Sequence, residues 1–278
     1  MLLSEEAKVL QDDRYLYEIK FDGIRALIYV SKREFRILSR KGTDLTNHYP
    51  ELKTIQDIVG AHQVIFDGEI IATSKGLPSF SLLQKRMRAK KVSDKLIAEI
   101  PVSFVAFDII YDNKDVTNLP LIERKKLLEK YRDTDYFVKS RVYHDGISLF
   151  KMVKKVGLEG IVEKVKSSTY DVGERTHSWI KVKNIKVDNF VVHGFLEKTN
   201  TITLLLGEYK NNKLCYVGKV SVNKKHELIN TLQKMKKINN QFVNFDEEAT
   251  YVKPVHEVRV HFLERTISGM LRHATIEE

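Results

Sequence analysis

The stretch YEIKFDGIRAL, Tyr17 to Leu27, sets bulky apolar residues (Tyr17, Ile19, Phe21) alternately with charged ones (Glu18, Lys20, Asp22). A period of two is that of a β-strand, whose successive side chains point to opposite faces. Such a strand sends one face into a core and presents an acid, an amine and an acid in a row on the other. Gly23 then permits a tight turn, and a second apolar run follows through Val30. A chain with this strand must either solvate the charged face or build something against it.

The pattern recurs. In SWIKVKN, Trp179, Lys181 and Lys183 share one strand face while Ile180 and Val182 share the other. In VIFDGEIIA, Asp67 and Glu69 fall on one face, and LEGIVEKV places Glu159 just before a glycine and an apolar pair. Four such strands converging would line a cleft with lysines, carboxylates and flanking aromatics. Burying so many charges is costly unless a ligand or metal pairs them. The grouping suits phosphoryl chemistry, in which lysines neutralise phosphate oxygens and carboxylates hold Mg²⁺.

The 278 residues suit one large domain or two smaller ones, and with 42% hydrophobic and 30% charged residues the chain can bury a core. Apolar runs stay far below the roughly 18 residues of a membrane helix. MLLSEEAKVLQDD lacks a basic-then-apolar signal pattern, and the single Cys215 forms no internal disulfide. A cytoplasmic home without a structural metal is expected. The net charge of +10 points to a polyanionic partner.

Up to about residue 185, strand-like runs (SFVAFDIIYD, GIVEKV, SWIKVKN) alternate with helical spacing in LPSFSLLQKRMRAKKVSDKLIAEI, ERKKLLEKY and LFKMVKKVG. Leu82, Leu83, Met87 and Leu96 are the expected apolar face of the first. Charge-rich VKNIKVD, Val182 to Asp188, is the expected hinge. Beyond it come short strands with Gly or Asn turns and one helical piece, HELINTLQKMKKI. The expectation is an α+β domain with largely antiparallel sheets at 1–185, followed by a small β-barrel of the OB type at 186–278. Pattern alone leaves an SH3-like barrel open.

The order of these segments carries a resemblance. EIKFDGIR resembles the K-x-D-G-x-R nucleophile motif of covalent nucleotidyltransferases, the superfamily of ATP-dependent DNA ligases, RNA ligases and mRNA capping enzymes. LSRKG (38–42), FDGEI (66–70), FVAFDIIY (104–111), EGIVEK (159–164) and WIKVK (179–183) resemble the remaining motifs in the family's order. FVAFDIIY, SFSLLQKRM and LRHATI are most similar to ATP-dependent DNA ligases, above all to the ligase domain of bacterial ligase D. Two departures stand out: RHA replaces the R-H-P stretch of ligase D, and the C-terminal R-x-D-K motif of many ligases is missing. The polymerase and phosphoesterase modules of many ligase D proteins have no counterpart in these residues.

The resemblance implies a nucleotidyltransferase (adenylation) domain followed by an OB-fold domain, and roles for individual residues. Lys20 would be the nucleophile that takes AMP from ATP. An amine with an ordinary pKa of about 10.4 needs partial burial and nearby cations to free its lone pair, and Lys181 and Lys183 would supply that field while neutralising the phosphates. Glu159 would be a metal ligand, and Glu69 would contact the ribose and assist with metal. Phe107 and Val162 would sandwich the adenine, with Glu18 and the Ile19 backbone reading its edge. Arg25 and Arg40 would contact the nucleotide and a DNA 5′-phosphate, for which guanidinium geometry is suited. Asp22 is read as support for the nucleophile strand, Trp179 as core or cleft wall, and His48, His144 and His177 as loop residues. The run Lys85, Arg86, Arg88, Lys90 and Lys91 is read as either a solvated helix face or a track for a phosphate backbone.

These assignments imply an ATP-dependent DNA ligase that uses ATP with Mg²⁺ (Mn²⁺ as substitute). Its substrate would be a nick or break in duplex DNA, in repair or end joining, with the enzyme acting as a monomer away from membranes and with a Ku-like end-binding protein as a possible partner. The alternatives are an RNA ligase or guanylyltransferase, and a nucleic-acid-binding protein without catalysis.

Overall fold

The computed structural model describes residues 1–266 and 268–277, which form two compact units, Met1–Asn184 and Ile185–Glu278. The division falls inside the charge-rich segment 182–188. No helix among the described residues is long and apolar enough to cross a membrane.

The first unit holds two sheets. One has the order β1 (Leu2–Glu6), β10 (Arg175–Lys183), β9 (Gly160–Val165), β2 (Tyr15–Lys20). The other has the order β4 (Phe35–Ser39), β3 (Ile24–Val30), β5 (Val64–Ser74), β7 (Val102–Asp112), β8 (Phe137–Lys139), with the short β6 (Leu77–Pro78) folded back on β5. Pairing is antiparallel except for β1 on β10 and β8 on β7, which are parallel. Ile28, Val30, Ile37, Phe66, Phe104 and Phe137 anchor the larger core. The helices are α1 (Gln56–Val59), α2 (Phe80–Arg88), α3 (Asp94–Glu99), α4 (Leu121–Leu128) and α5 (Gly146–Val156). The expected continuous helix over 77–100 is two helices: α2 ends at Arg88, and the Ser93 side chain caps the start of α3 by accepting from the Leu96 N–H. Leu83 is buried, but Met87 lies exposed.

The second unit is an antiparallel sheet in the order β13 (Lys213–Asn223), β12 (Thr201–Lys210), β11 (Lys186–Glu197), β14 (Thr250–Phe262), β17 (Thr275–Ile276). Helix α6 (Glu227–Lys234) lies between the third and fourth long strands, and β17 returns beside β13. This is the OB arrangement. A small hairpin, β15 (Glu264–Arg265) with β16 (Leu271–Arg272), involves part of the LRHATI segment.

Strand β2 departs from the simple two-faced reading. Tyr17 is fully buried, as the period requires, but Glu18 on the opposite face is also only 1% exposed. The charged face has been built against. Gly23 has a further reason besides turning: a Cβ there would lie 2.3 Å from the Ile70 carbonyl, so only glycine lets this corner approach β5.

On β9, Glu163 is fully buried and accepts from the Leu10 N–H at 2.8 Å, while its Oε2 has no hydrogen-bond partner among the described residues. Burial pushes its carboxyl up to about 7; the Leu10 hydrogen bond opposes this and the Glu6 charge adds to it. Between the ordinary glutamate value and about 7, the folded protein keeps a proton that the unfolded chain has lost, so stability falls as pH rises through that window. Thermal melts between about pH 5 and pH 8 should show a smaller loss of Tm for Glu163→Gln than for the parent chain. Equal losses would place the titrating group elsewhere.

Candidate active site

Strands β2, β9 and β10 bring the site together by register. Lys20 lies opposite Gly160 on β9, which in turn lies opposite Lys183 on β10; one step along, Glu18 and Lys181 both face Val162. Glu159 immediately precedes β9, and its backbone is held by the Asn184 N–H, which donates to the Glu159 carbonyl at 2.8 Å, while the Asn184 side chain donates to Leu158. Gly160 is required by close approach: a Cβ would stand 2.2 Å from the Val182 carbonyl. The result aims Glu159 at Lys20, whose Nζ donates to Glu159 Oε2 at 2.8 Å, with both side chains largely withdrawn from solvent.

Lys20 sits on the wall of a pocket of about 440 Å³, counting its open mouth, lined from the first sheet by Glu18, Ile19, Val162, Lys164 and Trp179 and from the second by Arg25, Glu69 and Phe107. Phe107 and Trp179 meet edge to face at 5.9 Å between ring centroids. This is a slot for a flat ring with a few polar groups at its edge. Glu18, 1% exposed, forms ion pairs through Oε1 with Lys125 of α4 at 2.5 Å and with Lys164 at 3.0 Å; its Oε2 makes no well-formed hydrogen bond among the described residues, and the buried Ser140 hydroxyl lies near the carboxylate. Burial alone would raise the Glu18 carboxyl, but the Lys125 charge, then that of Lys164, holds it below the usual range. Burial pulls Lys164 down to about 8 against the pull of Glu18.

Arg25 is fixed by Asp67, with Nε to Oδ1 at 3.1 Å and Nη2 to Oδ2 at 2.7 Å, and its guanidinium lies 5.4 Å from the Phe107 centroid. Tyr170 donates to the same Asp67 at 2.7 Å. Arg25 also lines a neighbouring cavity with Arg40, which is exposed and does not line the Lys20 pocket. Lys181 and Lys183 do not line it either. Both are bound by one carboxylate, Glu5 of β1, at 2.9 and 2.8 Å. Burial works to raise Glu5, but Lys183 and Lys181 hold it below the usual carboxylate range.

The carboxylates near Lys20 suit a divalent cation. Burial pushes Glu69 up to about 8, with Lys20 and Arg25 opposing and Glu159 and Asp67 reinforcing the rise, so Glu69 and Glu159 sense each other across the nucleophile. Among the described residues no group of three or more His, Cys, Asp or Glu is placed to hold a metal. Two carboxylates without a full protein cage are what Mg²⁺ uses when phosphate oxygens and water complete its shell.

One expected DNA contact is corrected. Arg86 is fully buried in α2, paired to Glu51 at 2.8 Å and donating to the His48 carbonyl at 3.0 Å, so its charge serves the scaffold. Lys85 and Arg88 on the same helix are exposed. His177 is on β10, not in a loop. Three neighbours of the site went unnoticed in the sequence: Glu5, Lys125 and Lys164. The first two had no signal of their own; Lys164 had one, since it shares the alternation of EGIVEK with Val162 and lies on β9 facing Trp179.

The model described as ATP dependent DNA ligase domain matches residues 3–183, and that described as ATP dependent DNA ligase C terminal region matches 197–278. The chain is 30% identical to the multifunctional non-homologous end joining protein LigD of Mycobacterium bovis over 96% of its own length, and spans 36% of that protein. It is 31% identical to the SPbeta prophage-derived DNA ligase-like protein LigB of Bacillus subtilis, covering 71% of this chain and 72% of that one. Among solved structures it resembles a mycobacterial DNA ligase D complexed with ATP and MES, at 27% identity and a TM-score of 0.62, with 99% and 92% of the two chains covered.

Proposed function

Because the chain belongs to the ATP-dependent DNA ligase family, we propose that it seals 5′-phosphate/3′-hydroxyl breaks in duplex DNA through a lysyl-AMP intermediate on Lys20. The observation that carries this reading is the Lys20–Glu159 pair at 2.8 Å on the wall of an aromatic-lined pocket. Lys20 Nζ attacks the α-phosphorus of ATP; a P–N bond forms and the bond to pyrophosphate breaks. The proton shared with Glu159 must first leave Nζ to free the lone pair. AMP then passes to the 5′-phosphate of the break, and the 3′-hydroxyl displaces AMP to close the strand. Phe107, Val162 and Trp179 hold the base, and Arg25, although burial works against its charge, keeps it beside the phosphates because Asp67 and then Tyr170 stabilise it. When bound, Mg²⁺, or Mn²⁺ in its place, would be held by Glu159 and Glu69 and would neutralise phosphate charge. The protein's share is positioning and electrostatic preorganisation.

In this reading the enzyme acts as a monomer on nicked or broken duplex DNA, and a Ku-like end-binding protein is the partner to test. The deciding experiment incubates the protein with labelled ATP or GTP and Mg²⁺, separates it under denaturing conditions, and then offers nicked duplexes with a DNA or an RNA 5′-phosphate strand. AMP labelling and faster sealing of the DNA strand are expected. GMP labelling, or faster sealing of the RNA strand, overturns the reading in favour of an RNA-end enzyme.

Affinity for nicked duplex should fall linearly in log–log form with salt, by roughly 0.9 per phosphate neutralised. Replacing exposed Lys85 and Arg88 with Ala should reduce that slope by about two phosphates' worth, whereas Arg86→Ala should lower stability by stranding buried Glu51. An unchanged slope in the double variant would remove α2 from the DNA surface.

A further inference from the structure

Helix α4 buries Leu121, Arg124, Lys125 and Leu128, the stripe i, i+3, i+4, i+7 that a helix turns toward a core. Two of the four are cations. Arg124 is accounted for by Asp108, with which it forms a fully buried bidentate pair. Lys125 instead reaches across to the first sheet and pairs with Glu18 Oε1. Lys164 binds that same oxygen, with its own ammonium flanked by Trp179 at 4.1 Å and Phe107 at 4.6 Å.

The consequence lies with the other oxygen. Two lysines on Oε1 leave Oε2 buried with no well-formed hydrogen bond among the described residues, the Ser140 hydroxyl lying near the carboxylate, on a residue that lines the pocket. A carboxylate oxygen accepts more than one hydrogen bond, so Oε2 keeps capacity for a donor that a ligand brings. Phe107, Val162 and Trp179 shape the pocket for a planar base. The purine edge at position 6 offers an amine donor in adenine and a carbonyl acceptor in guanine. An ionised carboxylate accepts from the amine and repels the carbonyl, whereas a protonated carboxyl can donate to the carbonyl.

We propose that Lys125 is a positioning residue for base selection: it pins Glu18 Oε1 and keeps the carboxylate ionised, so that Oε2 meets the base as an acceptor only and adenine is taken over guanine. The proposal rests on the nucleotidyl-transfer reading above. Lys164 does not suffice for this, because its charge is shared among two aromatic rings and the Phe107 carbonyl. Lys125 is also the largest favourable influence keeping Glu18 charged against its burial.

The test compares the full chain with Lys125→Met, Lys125→Gln and Lys125→Arg. Each is first checked for its melting temperature and then for single-turnover protein labelling by ATP and by GTP over a range of nucleotide concentrations. The two uncharged variants should raise the concentration of ATP needed for half-maximal rate with little change in the limiting rate, and the ATP-over-GTP ratio should drop by about tenfold or more, a loss confined to binding. Lys125→Arg, which restores the cation, should recover most of the ratio. Uncharged variants that fold and keep the parent ratio within about twofold overturn the proposal, as does failure of both to fold, since Lys125 would then be a scaffold group. Failure of the unmodified chain to label with ATP is a different result and counts against the nucleotidyl-transfer reading itself.

Discussion

Lys20→Ala is expected to leave the protein folded and to abolish labelling by ATP. Lys20 lies at the end of β2, partly exposed to the pocket, so its removal opens no cavity in the core. The side chain pairs with Glu159, which is itself near the surface of the cleft and can be solvated once the amine is gone. Among the described residues no other lysine is placed to substitute. Lys181 and Lys183 are bound to Glu5, and Lys164 is buried against Glu18. The expected loss is on the order of a millionfold in nucleotidyl transfer, the scale on which a covalent enzyme loses rate with its nucleophile. Sealing of a nick that already carries AMP on its 5′-phosphate should survive better than sealing with ATP, because that substrate has passed the step that needs the amine. Wild-type labelling by the alanine variant would place the nucleophile elsewhere.

Asp108→Ala has the largest expected effect on stability. Asp108 of β7 and Arg124 of α4 are both fully buried, joined Nε to Oδ1 at 2.9 Å and Nη2 to Oδ2 at 2.8 Å. Arg124 also donates to the carbonyls of Leu119 and Ser168, and Asp108 accepts from the Ile109 N–H. Removing the carboxylate leaves a guanidinium in the interior with no counter-charge, a loss of about 3–5 kcal/mol. For a unit of this size that is a fall in Tm of roughly 10 °C. Because breaking such a pair costs far more than replacing it, Asp108→Leu with Arg124→Met should recover much of the loss. A single variant melting within a few degrees of the parent would show that α4 is held to β7 by its apolar contacts alone. The ring of Phe107 is one residue away on the same strand, so activity should suffer even where folding survives.

The periodic parts of the site could be read in advance. Alternation in YEIKFDGIR, EGIVEK and WIKVK put Lys20, Val162, Trp179 and the two lysines of β10 on particular strand faces, and the order of the motifs pointed to the family. Lys20, Glu18, Glu69, Phe107 and Val162 do gather around one pocket with Glu159 beside it. What could not be read was the partner of each charge. Arg86 and Arg88 are two residues apart in one basic run, yet one is sealed against Glu51 and the other is exposed. Asp108 stands in FVAFDIIY beside Phe107, and nothing local tells that Phe107 lines the pocket while Asp108 is sealed into the frame by Arg124.

The sequence by itself determined the strand periods, the motif order and hence the family, because these are carried by near neighbours whose spacing follows from backbone geometry. Only the tertiary structure decided which charges belong to the site and which to the frame. Glu5 comes to Lys181 and Lys183 from a parallel strand at the far end of the unit in sequence, and Lys125 comes to Glu18 from a helix more than a hundred residues along. A charge's worth is set by its desolvation and by the group opposite it, and both are supplied by segments distant in the chain.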